Sequence, residues 1–229
     1  MALGNNNSFG GGPLIFLTPR NKDVKGEKVK PYFSVSRVGE DGKIAQTTEQ
    51  VTSVSGDLVK ADYKERDVKT KAGTTEKRKS VALYLKDSQA SETYHVDISF
   101  SIAGRSLFNA LATLGDSGSF EDVEISVYEN RKGFEVFGLK QGGQQVKWKY
   151  NLDELPKADP IKDKKGNLIK NDYSEIDEFF LIEINKISEK LGGSKKKLEQ
   201  ESTKNTPEKT SAPTPSSNGN VDDASDIPF

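Results

Sequence analysis

Apolar residues in this chain recur with period two over most of its first 150 positions and then nearly vanish after position 193. Tyr94, Val96, Ile98 and Phe100 alternate with His95, Asp97 and Ser99, the pattern of a strand buried on one face. Val81, Leu83 and Leu85 alternate in the same way with Ala82, Tyr84 and Lys86. Leu14 to Leu17, Val29 to Val38, Val123 to Val127, Phe134 to Val136 and Val146 to Tyr150 add further strand signals. Gly39-Glu40-Asp41-Gly42 reads as a hairpin turn leading into a strand over Lys43 to Val54. Phe33, Phe134 and Phe137 read as core, because burial is the commoner fate of Phe. His95, opposite the apolar face of its strand, reads as an incidental surface residue.

Two segments carry helical spacing instead. Leu107, Phe108, Leu111 and Leu114 lie on one helical face, with Gly115 as the expected stop. Ile176, Phe179, Phe180, Ile184, Ile187 and Leu191 form a stripe along a helix over 174–191. That helix is expected to start at a capping-box-like Ser174 and Asp177, to end at Gly192-Gly193, and to pack on the β domain. Asn151 to Asn171 reads as a connecting loop. Residues 1–12, rich in Asn and Gly, read as a flexible arm. Residues 192–229 hold too few apolar side chains to offset chain entropy and read as a disordered tail, which as a random coil reaches on the order of 30 Å.

Enzyme chemistry has little to work with. There is no Cys and a single His, so disulfides, Cys-based zinc sites and the usual nucleophile–base pairs are excluded. Gly10-Gly11-Gly12 lacks the Lys-Ser/Thr of a phosphate loop. Glu121-Asp122-Glu124 and Glu175-Asp177-Glu178 read as solvated surface, the second favoured by a helix N-terminus. No catalytic residue, metal or cofactor is expected. With neither a signal sequence nor a membrane-length apolar run, the expectation is a cytoplasmic protein without a membrane partner.

Charge is more informative. The net value of −1 conceals a split: Arg20 to Lys86 holds 16 Lys and Arg against 10 Asp and Glu, whereas Thr210 to Phe229 holds three Asp and no basic residue. A basic body with an acidic tail can still bind nucleic acid. Single-strand binding needs cations along the phosphates and flat side chains for the bases. Tyr63, Lys64, Arg66, Lys69, Lys71, Lys77, Arg78 and Lys79 form a basic hairpin running into Tyr84 and Lys86, with a tip at Ala72-Gly73-Thr74-Thr75. Lys147-Trp148-Lys149-Tyr150 is a second candidate. Alternation leaves open whether its lysines line a groove over a buried Trp148 or its aromatics form the stacking platform.

The chain ends Asp222-Asp223-Ala224-Ser225-Asp226-Ile227-Pro228-Phe229. Three carboxylates and a terminal Phe on a polar stalk suit a pocket rimmed by Arg or Lys on another protein. Asp226-Ile227-Pro228-Phe229 resembles the C-terminal tip of bacterial single-stranded-DNA-binding proteins, over about these eight residues only. The tail-bearing plan is also similar to that of phage single-strand binders, which would put the protein in a host cytoplasm. The resemblance implies a mainly β, decorated OB-fold (a Greek-key β-barrel) over 13–191, with a short helix between strands and a C-terminal helix. It implies non-catalytic coating of single-stranded DNA in replication, recombination or repair. Asp222, Asp223, Asp226, Ile227, Pro228 and Phe229 would recruit replication and repair proteins. The body aligns with no strand pattern of that family, so only the role of the tip carries over. The alternative is a protein-interaction adaptor that uses the tail to divert DNA-processing enzymes.

Overall fold

The computed structural model describes residues 13–192, apart from 24, 40–41, 70–72 and 88. The expected arm over 1–12 and the tail beyond Gly192, including the 222–229 tip, lie outside the described residues. The chain runs β1 (Leu14–Lys22), β2 (Lys28–Val38), β3 (Ile44–Val51), β4 (Ser53–Lys69), β5 (Thr75–Asp87), β6 (Glu92–Ser99), α1 (Ile102–Ser117), β7 (Val123–Glu129), β8 (Glu135–Gln141), β9 (Gln144–Gln145), β10 (Asp159–Lys162), β11 (Leu168–Asp172) and α2 (Ser174–Lys190). The protein is mainly β, as the period-two pattern requires.

The first nine strands join in the order β3-β2-β1-β6-β5-β4-β7-β8-β9. Neighbours are antiparallel except β1 and β6, which run parallel with Leu17 opposite Val96. The sheet is not closed. Its two sides meet through side chains instead: Phe33 of β2 stacks on Phe137 of β8 with ring centroids 6.2 Å apart. Lys28 Nζ donates to Glu129 Oε1 at 2.8 Å and to the Gly133 carbonyl at 2.9 Å.

Register decides which face is buried. Leu83 lies opposite Ala61 and Val96, and Val81 opposite Ile98, and all five are excluded from solvent. Each of these large aliphatic side chains stabilises the fold by roughly 1.5–3 kcal/mol relative to exposure. Leu107, Phe108, Leu111 and Leu114 of α1 and Ile176, Phe180, Ile184 and Ile187 of α2 complete the same core.

Ser101 caps α1, its Oγ accepting the Gly104 N–H at 3.1 Å. The helix runs past the expected stop at Gly115 to Gly118, whose φ of 70° is left-handed. Gly115 is instead an inter-helix contact, where a Cβ would meet Ile187 Cγ1 at 2.9 Å. The capping box expected for α2 does not form, because Ser174 donates from both N and Oγ to Asp172 Oδ1. Asp177 pairs with Arg105 of α1 at 2.8 Å, and the Arg105 guanidinium lies 4.4 Å from the Tyr173 ring centre. Part of the expected 151–171 loop is the β10–β11 hairpin, turned by Asp163, whose Oδ1 accepts the Lys165 and Asn167 N–H groups.

Candidate nucleic-acid interface

Because Leu83 and Leu85 point into the core, Tyr84 between them occupies the opposite face of the sheet. Pairing extends it into a row across four strands: Lys60 on β4, Tyr84 on β5, His95 on β6 and Phe16 on β1. The rings touch in sequence. Tyr84 meets His95 edge-on at 4.9 Å, and His95 meets Phe16 at 5.1 Å. Lys60 Nζ and Lys64 Nζ lie 5.4 and 5.9 Å from the Tyr84 ring centre, within cation–π range.

Two sequence expectations change here. His95 is not an incidental surface residue but is 7 % exposed. Tyr84 is not an open stacking platform, since neighbouring side chains leave it 9 % exposed. The two ammonium groups lie over the ring itself, Lys60 Nζ paired with Asp62 at 2.6 Å and Lys64 Nζ turned onto His95, so lysines cover this row where an aromatic face was expected. Lys64 Nζ lies 2.8 Å from His95 Nε2. Burial, followed by the Lys64 charge, lowers His95 to about 4, so the neutral imidazole accepts the hydrogen bond. Burial also lowers Lys64, and burial raises the Tyr84 phenol.

Past the Ser80–Ser99 rung, β4 and β5 leave β6 and continue as a two-stranded arm. Its rungs pair Glu65 with Lys79, Arg66 with Arg78, Asp67 with Lys77 and Lys69 with Thr75. Several of the expected contacts are committed within the protein. Arg66 pairs with Asp97, and Lys77 pairs with Glu65 at 2.7 Å. Tyr63 donates to Glu65 at 2.9 Å and packs edge-on against Phe100, and burial followed by Glu65 raises its phenol to about 12. Lys69, Arg78 and Lys86 are exposed and Lys79 half-buried, and none of the four is in a salt bridge among the described residues. Lys71 lies outside the described residues.

The 147–150 candidate is not part of this surface, and it is not the expected strand. The segment is irregular and runs along α1, on the core side of the sheet. Asn109, 1 % exposed, holds the Tyr150 N–H and C=O with its side-chain amide, at 2.9 Å each. Thr113 donates to the Lys147 carbonyl at 2.8 Å. Lys149 bridges Asp116 and Glu183 at 2.9 Å each; burial lowers its pKa, but hydrogen bonding to Tyr150, Asp116 and Glu183 outweighs burial and raises it. Tyr150 packs edge-on against Phe179 at 4.8 Å, and Trp148 is half-buried against the core. Only Lys147 is exposed. Lys149 and Tyr150 therefore clamp this segment to the helices.

Sequence reasoning found both strands of the β7–β8 hairpin but missed the exposed rings at its end. Phe134, expected in the core, is 65 % exposed, and Tyr128 is 38 % exposed. Arg131 and Lys132 lie between them in a turn shaped by Asn130 Oδ1, which accepts the Lys132 and Phe134 N–H groups. The signal was Asn130 and Gly133 flanking the turn immediately before Phe134, which places this ring at the hairpin end rather than within a strand.

Of the carboxylates expected to be solvated surface, Glu124 pairs with Lys140 at 3.0 Å, and Asp177 is instead largely buried against Arg105. Among the described residues no three His, Cys, Asp or Glu side chains are grouped to hold a metal, and no helix is long and apolar enough to cross a membrane. Compared with known proteins, the chain matches no family model, no curated protein and no solved structure.

Proposed function

We propose that this protein binds single-stranded DNA without catalysis and without reading long sequences, using the outer face of β1, β6, β5 and β4 together with the β4–β5 arm. The observation carrying this reading is the run of cations on and around that face. Lys60 and Lys64 stand over Tyr84, Lys60 paired with Asp62. Arg78 and Lys86 share the face of Tyr84, Lys69 and Lys79 lie on the other side of the arm, and none of the four has an acid partner among the described residues. Phosphates would follow these cations, while Phe134 and Tyr128 on the β7–β8 hairpin offer exposed rings for bases.

The topology supports an OB-derived plan. β4, β5 and β6 form a three-strand meander, α1 follows, and β7 returns to pair with β4 on the side away from β5. The edge of β6, which a fifth strand would close in parallel, is occupied in parallel by β1. The tip at 222–229 would recruit replication or repair proteins, as its resemblance implies. The adaptor reading draws on Phe134, whose exposure also suits a protein partner.

Photocrosslinking a halogenated-uracil oligonucleotide to the full chain, with peptide mapping by mass spectrometry, tests the assignment. Crosslinks on β4, β5 and the β7–β8 hairpin are expected. Crosslinks confined to α1, α2 or 147–150 would contradict it.

A further inference from the structure

Where the arm leaves the sheet, it walls a cleft of about 430 Å³ against the ends of β1 and β8. At its floor lie two buried polar atoms that lack a hydrogen-bond partner, Ser80 Oγ and Asp97 Oδ1. Ser80 is 6 % exposed, and the other Asp97 oxygen is held by Arg66. A buried carboxylate oxygen and hydroxyl without partners are costly, and a ligand that pairs with both recovers that cost. Pro19 and Phe137 give the cleft apolar surface, Arg66, Arg78 and Lys79 outnumber Asp67 on its arm wall, and Glu135 of β8 also lines it. That division puts phosphate on the arm side and an uncharged flat group inside.

We propose that this cleft takes the Watson–Crick edge of one unstacked base and selects the amino-bearing edges of cytosine and adenine over the keto edge of thymine. Asp97 Oδ1 only accepts, so it receives the exocyclic amine, and the Ser80 hydroxyl donates to the adjacent ring nitrogen. Thymine held in that register would set its O4 against the carboxylate and its N3–H against the hydroxyl hydrogen. This inference rests on the single-strand reading above and refines it: the strand is bound regardless of sequence, with a bias at one position.

The test compares full-length protein on labelled oligo-dC and oligo-dT at one salt concentration, as wild type, Ser80→Ala and Asp97→Asn. Wild type is expected to bind oligo-dC on the order of tenfold more tightly, the effect of one charge-assisted hydrogen bond. Ser80→Ala should shrink that ratio. In Asp97→Asn, Arg66 keeps the amide oxygen and the NH₂ turns into the cleft, so the preference should reverse toward oligo-dT. Retained oligo-dT binding shows that the variants fold. Equal wild-type affinities, or a ratio that both variants leave unchanged, overturns the base-edge assignment while single-strand binding stands. Binding of neither strand by wild type overturns the single-strand reading itself.

Discussion

Lys64 Nζ donates to Nε2 of a neutral His95 across 2.8 Å, joining β4 to β6 over the intervening strand β5. The contact requires the imidazole to stay unprotonated, since an imidazolium would face an ammonium in a site that excludes water. Both the burial of His95 and the nearby Lys64 charge push in that direction.

Stability should therefore fall in acid through His95. Its folded value of about 4 lies below its unfolded value of 6.5, so its contribution is fully present above pH 6.5 and is lost as pH falls to and below 4. Between pH 7 and pH 4 the loss from this group is about 3 kcal/mol. Urea unfolding at both pH values should show His95→Gln losing less stability than wild type by about that amount. Parallel losses would mean that His95 is not held neutral.

Asp177 should matter for stability and not for DNA. Its carboxylate is the acid partner of Arg105, which is 5 % exposed, and Asp177→Ala leaves that cation buried and unpaired. Such a loss costs about 3–5 kcal/mol. Thermal unfolding should show the single variant less stable than the Arg105→Met, Asp177→Leu double variant, with single-strand affinity equal in all folded forms.

Gly104 should tolerate no side chain. A Cβ there would lie 2.0 Å from the Ser99 carbonyl oxygen, backbone that cannot move without lifting α1 off the end of β6. Gly104→Ala should lower the urea midpoint by the equivalent of at least 1–3 kcal/mol, the usual range for overpacking. An unchanged midpoint would show that the helix start is not seated as described.

Cations without acid partners should control the salt response. If Lys69, Arg78, Lys79 and Lys86 each neutralise a phosphate, the slope of log affinity against log salt is about −3 on single strands. The Arg78→Ala, Lys79→Ala, Lys86→Ala variant should make that slope shallower by about 2. Lys149→Ala, which breaks a clamp to Asp116 and Glu183, should lower stability and leave the slope unchanged.

Sequence and structure part company where pairing is non-local. Alternation identified β5 and β6 and which of their side chains face the core, because each strand carries its own period. The same alternation put Tyr84 on the outer face yet could not reveal its burial, which depends on Lys60, Lys64 and His95 arriving from two other strands. Nor does local pattern encode the parallel seat of β1 beside β6, or the empty pairings of Ser80 and Asp97, which exist only once the arm overhangs β1 and β8. Lys147-Trp148-Lys149-Tyr150 misled for a related reason. Its alternation mimics a strand, but Asn109 and Thr113 of α1 supply the hydrogen bonds that a neighbouring strand would have made.

The central claim is that the outer face of β4 and β5 holds single-stranded DNA. Fluorescence-anisotropy titration of full-length protein with labelled oligo-dC and oligo-dT and with a matched duplex, at low and physiological salt, tests it most directly. Tighter binding to a single strand than to the duplex, weakening steeply with salt, is the result this account predicts. Absence of binding to either strand, both with the full chain and after removal of residues 222–229, would contradict it and leave the adaptor reading.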